Sequence, residues 1–290
     1  MSDTREALAV PLSPAATVML VRDAAAGPDG SPVLEVFMLR RAVGASFAGG
    51  AYVFPGGRVD AVDRGGALEA VCDDLDDRRA SARLGVGRGG LAYWVAAVRE
   101  CFEEAGVLLA RPSTGGDAIR FDDPATGRRF GAARRAVHRG ELSLVELCVR
   151  EELVLITGLV QYVSHWITPV GEPKRFDTRF FLALAPPGQE PLHDDTETIA
   201  SLWITPHDAL AAAAAGDLQL LPPTIRSLEF LAEHASADSA LAAAAAIEEP
   251  PAILPRLRLD TAGRVRGVVL PGEADYAAVP VPTTVVRDRR

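Results

Sequence analysis

Apolar and polar positions follow two periods along this chain, and the elements lie where the period changes. Ala15 to Val21 and Val33 to Leu39 are apolar and rich in β-branched residues. A turn rich in Gly, Pro and Asp separates them at Asp23 to Pro32, which predicts a hairpin. Phe47 to Gly57 reads as a glycine-rich loop with a short strand around Tyr52 to Phe54. Leu159 to Thr168, Asp177 to Leu184 and Thr198 to Ile204 alternate as strands, with a late one at Val265 to Leu270. Helical spacing runs through Leu91 to Leu109, Ser143 to Leu155, Thr224 to His234 and the Ala-rich stretch 240–247. Pro206 opens another helix reaching Ala215, since Pro suits a first turn. Gly65 to Gly90 and Pro112 to Gly131 are polar and turn-rich and predict two surface excursions, the first with one helix. Pro250 to Pro255 breaks the pattern, and the tail after Pro280 reads as loose. The mixture predicts an α+β domain with insertions, not a βαβα alternation.

One predicted helix carries unusual chemistry. It contains Arg99-Glu100-Cys101-Phe102-Glu103-Glu104-Ala105-Gly106-Val107. At roughly 100° per residue, Glu100, Glu103 and Glu104 share one arc, while Val95, Val98, Phe102 and Ala105 take the opposite side. Like charges at these spacings repel by a few tenths of a kcal/mol per pair, which a surface helix tolerates. A divalent cation among the carboxylates turns the repulsion into attraction, and hard oxygen ligands suit Mg²⁺ or Mn²⁺. Gly106 supplies a helix stop.

Bulk properties narrow the classes. With 290 residues, 48% apolar and 24% charged, the chain reads as an ordinary globular protein. The net charge of -9 argues against coating nucleic acid. The basic clusters Arg128-Arg129, Arg134-Arg135 and Arg287 to Arg290 read as solvated surface. Three cysteines, Cys72, Cys101 and Cys148, form no zinc spacing and fit a reducing compartment. The polar start lacks a signal-peptide pattern, and no apolar run reaches the ~18 residues of a membrane helix. A cytoplasmic protein, engaging neither membrane nor nucleic acid, is expected.

Upstream lies Phe54-Pro55-Gly56-Gly57-Arg58-Val59-Asp60, whose glycines let backbone approach a ligand or ion. With Arg99, Glu100, Cys101, Glu103, Glu104, Gly106 and Val107, it resembles the box of the Nudix hydrolase family, G-x5-E-x7-R-E-U-x-E-E-x-G-U, opened by Gly57. The sequence departs from the box in two places. Asp63 stands where the family has Glu, and Arg99 falls 28 residues later than in an uninterrupted box. Leu39-Arg40-Arg41, Phe47, Tyr52 to Gly57, Asp60, Asp63-Arg64, His165 to Pro169, Arg175 to Phe181, Glu197, Trp203, Pro206 and Leu221 to Thr224 are similar to acyl-coenzyme A diphosphatases with an interrupted box. Phe47 and Gly49-Gly50 occupy the interval where the wider coenzyme A signature carries a second Arg, which leaves the substrate open.

The resemblance implies a Nudix-fold α/β/α sandwich with a mixed sheet, helical insertions and a helical C-terminal region. A single domain over 1–290 is expected, with its core at 14–235, insertions at 64–90 and 111–142, and an extension at 236–290. The implied activity is Mg²⁺- or Mn²⁺-dependent hydrolysis of a nucleoside diphosphate linked to another moiety, coenzyme A or acyl-coenzyme A foremost. ADP-ribose or NADH are the alternative substrates. A non-catalytic nucleotide sensor is the alternative of another class, which three clustered carboxylates argue against. Implied metal ligands are Glu100 and Glu104, with Glu103 sharing a second ion and Gly57 offering a carbonyl. Arg99 is expected to pair with a neighbouring carboxylate and fix its rotamer. The general base is either Glu197, in the acidic loop Asp194 to Glu197, or Glu103. Arg41, Phe54 and Arg179 are the candidate substrate-binding residues. Many relatives form homodimers, so a homodimer is an open expectation.

Plainer readings go to the rest. His165 and Trp166 read as strand packing, and Cys101 as apolar filling. Gly85 to Gly90 lacks the Lys-Ser/Thr of a P-loop. Asp73 to Asp77 lacks calcium-loop spacing and reads as a solvated turn.

Overall fold

The computed structural model describes residues 2–6, 10–24, 30–42, 44, 49–65, 67–194 and 197–288, with backbone only for 2–6 and 287–288. Phe47, Asp195, Thr196, the end of the basic tail and part of the turn after Asp23 lie outside the described residues.

The strands in chain order are β1 (Ser2–Glu6), β2 (Leu12–Ala24), β3 (Val33–Arg41), β4 (Tyr52–Val53), β5 (Gly56–Arg58), β6 (Ala110–Pro112), β7 (Leu153–Leu155), β8 (Gln161–Ile167), β9 (Arg175–Leu184), β10 (Thr198–Ile204), β11 (Ala252–Ile253), β12 (Arg256–Leu259), β13 (Val265–Val269) and β14 (Thr284–Asp288). The α-helices are α1 (Asp77–Leu84), α2 (Leu91–Glu100), α3 (Pro124–His138), α4 (Leu144–Arg150), α5 (Pro206–Ala215), α6 (Pro222–Ala232) and α7 (Ala237–Ala245). The main sheet runs β10-β3-β2-β9-β8-β11, with β4 beside β3 and β5 beside β2. It is mixed: β3 is antiparallel to β2 and β10, whereas β11 is parallel to β8.

Two compact units make up the chain. The larger comprises Ala16–Val163 and Phe180–Glu249. Its core gathers Val18 and Leu20 of β2, Phe37 and Leu39 of β3, and α2 from Leu91 to Val98. Trp94 is fully buried, donates its indole N–H to the Val160 carbonyl at 2.9 Å, and lies 4.8 Å from the Phe181 ring. Burying an indole with its one polar atom satisfied avoids the desolvation penalty an orphan N–H would carry. The smaller unit comprises Met1–Ala15, Ser164–Arg179 and Pro250–Arg290. It holds the antiparallel pairs β1–β14 and β12–β13 and a small apolar cluster around Leu257 and Val285.

The predicted strands and the helix at Pro206 are present, and several expectations change. The helix expected over 91–109 is α-helical only to Glu100 and continues as a π turn, Cys101–Ala105. Ser143 to Leu155 divides into α4 and β7, because Glu152 takes a left-handed backbone (φ 54°) that ends the helix. The tail after Pro280, expected to be loose, contains β14.

Neither predicted excursion is mere surface. In the first, Leu68, Val71, Leu75, Ala80 and Leu84 enter the main core. The acidic run is not a solvated turn: Asp73 binds Arg111 Nε at 2.7 Å, and Asp76 caps α1 by accepting from Arg79 N at 2.7 Å. Asp77 accepts from Gly89 N at 2.9 Å and from Leu91 N at 3.0 Å, which satisfies an amide at the start of α2. In the second, α3 buries Phe130, Ala133 and Val137. Among the described residues no helix is long and apolar enough to cross a membrane.

Candidate active site

The interrupted halves of the motif meet. Val18 N donates to the Pro55 carbonyl at 2.9 Å, seating the Pro-Gly-Gly turn against β2. Gly56 N donates to Glu104 Oε2 at 2.9 Å. A Cβ at Gly57 would collide with the Glu100 carboxylate. Glycine at Gly57 leaves room for that movable side-chain end and answers to no unusual backbone angle. The long detour between the halves is absorbed by α1 and the core contacts of the first insertion.

At one end of the cluster stands Arg99, 6% exposed. Its Nε and Nη2 meet Asp63 Oδ1 and Oδ2 at 2.9 and 3.0 Å, a bidentate pair. Nη2 also donates to the Arg58 carbonyl at 2.8 Å. Nη1 donates to Glu100 Oε1 at 2.8 Å and Glu103 Oε1 at 3.1 Å. All five guanidinium donors are thereby used. Burial works against the charged form of Arg99, but the Asp63 hydrogen bonds and the surrounding carboxylates outweigh it and keep it protonated. Asp63, 1% exposed, also accepts from Asp60 N at 2.8 Å. The shorter acid at this position therefore makes a full pairing with Arg99.

The other end is short of positive charge. Glu104 is 5% exposed, and its carboxyl is held well above the usual carboxylate range. Burial is the main cause and the Glu100 charge the next; the Gly56 N–H and the Arg41 charge oppose them, and Glu197 adds repulsion. Burial also pushes Glu100 up to about 7, with Arg99 opposing and Glu103 adding. The helix face expected to be open to solvent is thus largely enclosed. Arg99 Nη1 is what Glu100 and Glu103 share in this arrangement, and among the described residues no three His, Cys, Asp or Glu side chains are grouped tightly enough to hold a metal ion by themselves.

The remaining expected residues divide. Arg41 and Glu197 both act electrostatically on Glu104, so they belong to its surroundings. Glu197 is exposed, and its carbonyl accepts from Ala42 N at 3.0 Å, next to Arg41. Arg41 Nε is buried with no hydrogen-bond partner among the described residues. Phe54 is only 3% exposed, so its ring packs inside instead of lying open to a ligand. Arg179 lies in the smaller unit, is 4% exposed and faces Asp177 at 3.8 Å. Asp177 also receives His165 Nε2 at 2.6 Å, so His165 has a polar partner beyond strand packing. Burial would raise the Asp177 carboxyl, but His165 and Arg179 hold it below its ordinary value.

Sequence reasoning missed two neighbours of Glu103. His138 Nδ1 lies 3.7 Å from Glu103 Oε2. Arg134 donates to the carbonyls of Glu103 and Glu104, which corrects its reading as a solvated arginine. The apolar spacing Phe130, Ala133, Val137 was the available signal that α3 packs inward.

The profile of the NUDT19 Nudix domain matches residues 75–231. The acyl-coenzyme A diphosphatase NUDT19 of Gallus gallus is 29% identical, over 77% of this chain and 68% of that protein. Its counterpart from Homo sapiens is 28% identical, over 74% and 65%. The chain thus spans about two thirds of the length of these relatives. Among solved structures, a Nudix hydrolase from Alicyclobacillus acidocaldarius superimposes with a TM-score of 0.63 at 28% identity, covering 81% of this chain and 97% of that one.

Proposed function

Because this chain belongs to the Nudix hydrolases of the NUDT19 type, and with them to the hydrolases of diphosphate bonds, we propose that it cleaves the diphosphate of coenzyme A or an acyl-coenzyme A with the help of Mg²⁺ or Mn²⁺. The products are 3′,5′-ADP and a phosphopantetheine. The observation that carries this reading is the buried carboxylate pair Glu100–Glu104 against the Gly56-Gly57 turn. Its donors are hard oxygens, and burial with mutual repulsion disfavours their charged forms, which a cation would favour and which Arg99, fully engaged, does not compensate.

In this reading Glu100 and Glu104 would hold the cation, with Glu103 and the Gly57 carbonyl as the further oxygen donors. A bound divalent cation supplies charge neutralisation on the diphosphate and acidifies a water. Arg99, tied to Asp63, fixes the carboxylate rotamers and does not touch substrate. Arg41, with its unsatisfied buried Nε, donates to a phosphate oxygen of the substrate. Glu197 takes the proton from the attacking water as the water oxygen bonds to phosphorus and the bridging P–O bond breaks. Glu103 is less suited to that step because Arg99 and His138 flank its two oxygens.

The test offers purified protein with Mn²⁺ a panel of coenzyme A, acetyl-coenzyme A, ADP-ribose and NADH, with products resolved by chromatography. Release of 3′,5′-ADP from the coenzyme A substrates is expected. Preferential cleavage of ADP-ribose or NADH reassigns the substrate, and binding without turnover of any of them makes the chain a sensor.

A further inference from the structure

The π turn that carries Glu103 and Glu104 is completed from outside the helix. A helix leaves its last carbonyls without partners of its own. Gly106 N and Val107 N take the carbonyls of Phe102 and Cys101 at 3.0 and 3.4 Å. The next three are satisfied by groups remote in sequence. Arg134 Nε donates to Glu103 O at 2.9 Å, Arg134 Nη2 to Glu104 O at 2.8 Å, and Leu192 N to Ala105 O at 2.9 Å. Arg134 Nη2 also donates to the Leu192 carbonyl at 2.9 Å. Gly106 is left-handed at φ 73°, and a side chain there would come within 2.8 Å of Arg134 Nη1. The glycine therefore both ends the helix and seats the guanidinium. Two residues beyond Leu192, Asp194 Oδ1 accepts from the amides of Glu197 and Thr198 at 3.1 and 3.0 Å.

We propose that Arg134 is a positioning residue: a single guanidinium on α3 that sets the spacing between the backbone bearing Glu103 and Glu104 and the segment bearing Glu197. It touches no substrate. Its planar fork reaches three carbonyls on two segments, a geometry that an ammonium group does not reproduce. A cation at this end of the helix also complements the dipole. The second insertion then has a definite task, since α3 is anchored in the core by Phe130, Ala133 and Val137 and presents Arg134 beside them. The inference rests on the hydrolase reading above, because that reading gives the positioned carboxylates their work.

Arg134→Gln and Arg134→Lys test it, with Arg128→Ala, an exposed arginine of the same helix, as control. Three quantities are read: kcat and KM for coenzyme A, Mn²⁺ binding titrated onto the protein without substrate, and amide hydrogen exchange at Leu192 and Glu197. For Arg134→Gln, kcat falls about 10–100-fold with KM near its original value, Mn²⁺ binds more weakly, and both amides exchange faster. Arg134→Lys falls between, and Arg128→Ala matches the unaltered protein. If Arg134→Gln is not folded at the assay temperature, the lysine variant, which keeps the charge, carries the comparison. Folded variants with unaltered kcat and Mn²⁺ binding overturn the inference. So does a rate loss that vanishes once normalised to the folded fraction. If the unaltered protein neither binds Mn²⁺ nor cleaves any of the panel, the hydrolase reading fails and the inference falls with it. Normal activity with indifferent variants removes the inference alone.

Discussion

The two ends of the carboxylate cluster are both buried, yet they are built on opposite principles. At the Asp63–Arg99 end every donor of the guanidinium has an acceptor, and the charges balance. At the Glu100–Glu104 end Glu100 has only a share of Arg99 Nη1, and Glu104 has the Gly56 N–H and the opposing charge of Arg41 against burial and the charges of Glu100 and Glu197. The first arrangement is complete and holds geometry. The second is short of positive charge and is where a cationic ligand gains most. The difference lets one short helix serve as a rigid scaffold at one end and, in the proposed function, receive a cation at the other.

Substitutions that exchange the properties of the two ends test the comparison. The largest effect is expected from Glu104→Gln, which should lower turnover by several orders of magnitude while the fold is kept. The amide oxygen still accepts from Gly56 N, so the metal-free protein should keep its melting temperature. A near-normal rate would take Glu104 out of the metal site. Asp63→Asn should act the other way. It removes the bidentate partner of a buried guanidinium that keeps Glu100 and Glu103, at a cost of about 2–3 kcal/mol in denaturant unfolding; a stability unchanged from the parent would show that Arg99 does not depend on Asp63.

The pH dependence of the metal-free protein follows from the charge-starved end. Glu100 titrates near 7 in the folded state against its ordinary value near 4.5. A carboxyl raised in this way contributes full stability below its unfolded value and loses it as pH rises through the folded one. Thermal unfolding should therefore show a decline between about pH 4.5 and 7, and Mn²⁺ should restore more at pH 8 than at pH 5. Equal stabilisation by Mn²⁺ at both values would break the link between the ion and these groups. Gly57→Ala should displace the Glu100 carboxylate from Arg99 Nη1 and lower activity, with a stability loss of only about 1 kcal/mol because its Cβ meets the movable end of a side chain. The smallest effect is at the far end of the same helix: Asp77→Ala should cost about 1 kcal/mol by releasing the amide of Leu91, with kcat retained.

Local pattern carried much of this structure. Thr198 to Ile204 and Pro206 to Ala215 were legible because alternation and an N-terminal Pro are properties of the segment itself. The motif halves were legible as chemistry, since Arg99, Glu100 and Glu104 cluster in sequence. What bridges them was not. Asp77 caps a helix that begins fourteen residues later, so its acidic run looks like solvated charge until the fold closes. Arg134 sits in a basic pair and acts on carbonyls thirty residues away, a contact that no periodicity reports. The α-to-π change at Cys101 was equally hidden, because the carbonyls it frees are satisfied by tertiary partners.

The most direct test is a crystal of the protein soaked in Mn²⁺, with the ion located by its anomalous scattering. A peak is expected among Glu100, Glu103 and Glu104, beside the Gly57 carbonyl, that disappears in Glu104→Gln. A peak elsewhere, or none at a Mn²⁺ concentration that supports turnover, would contradict that expectation.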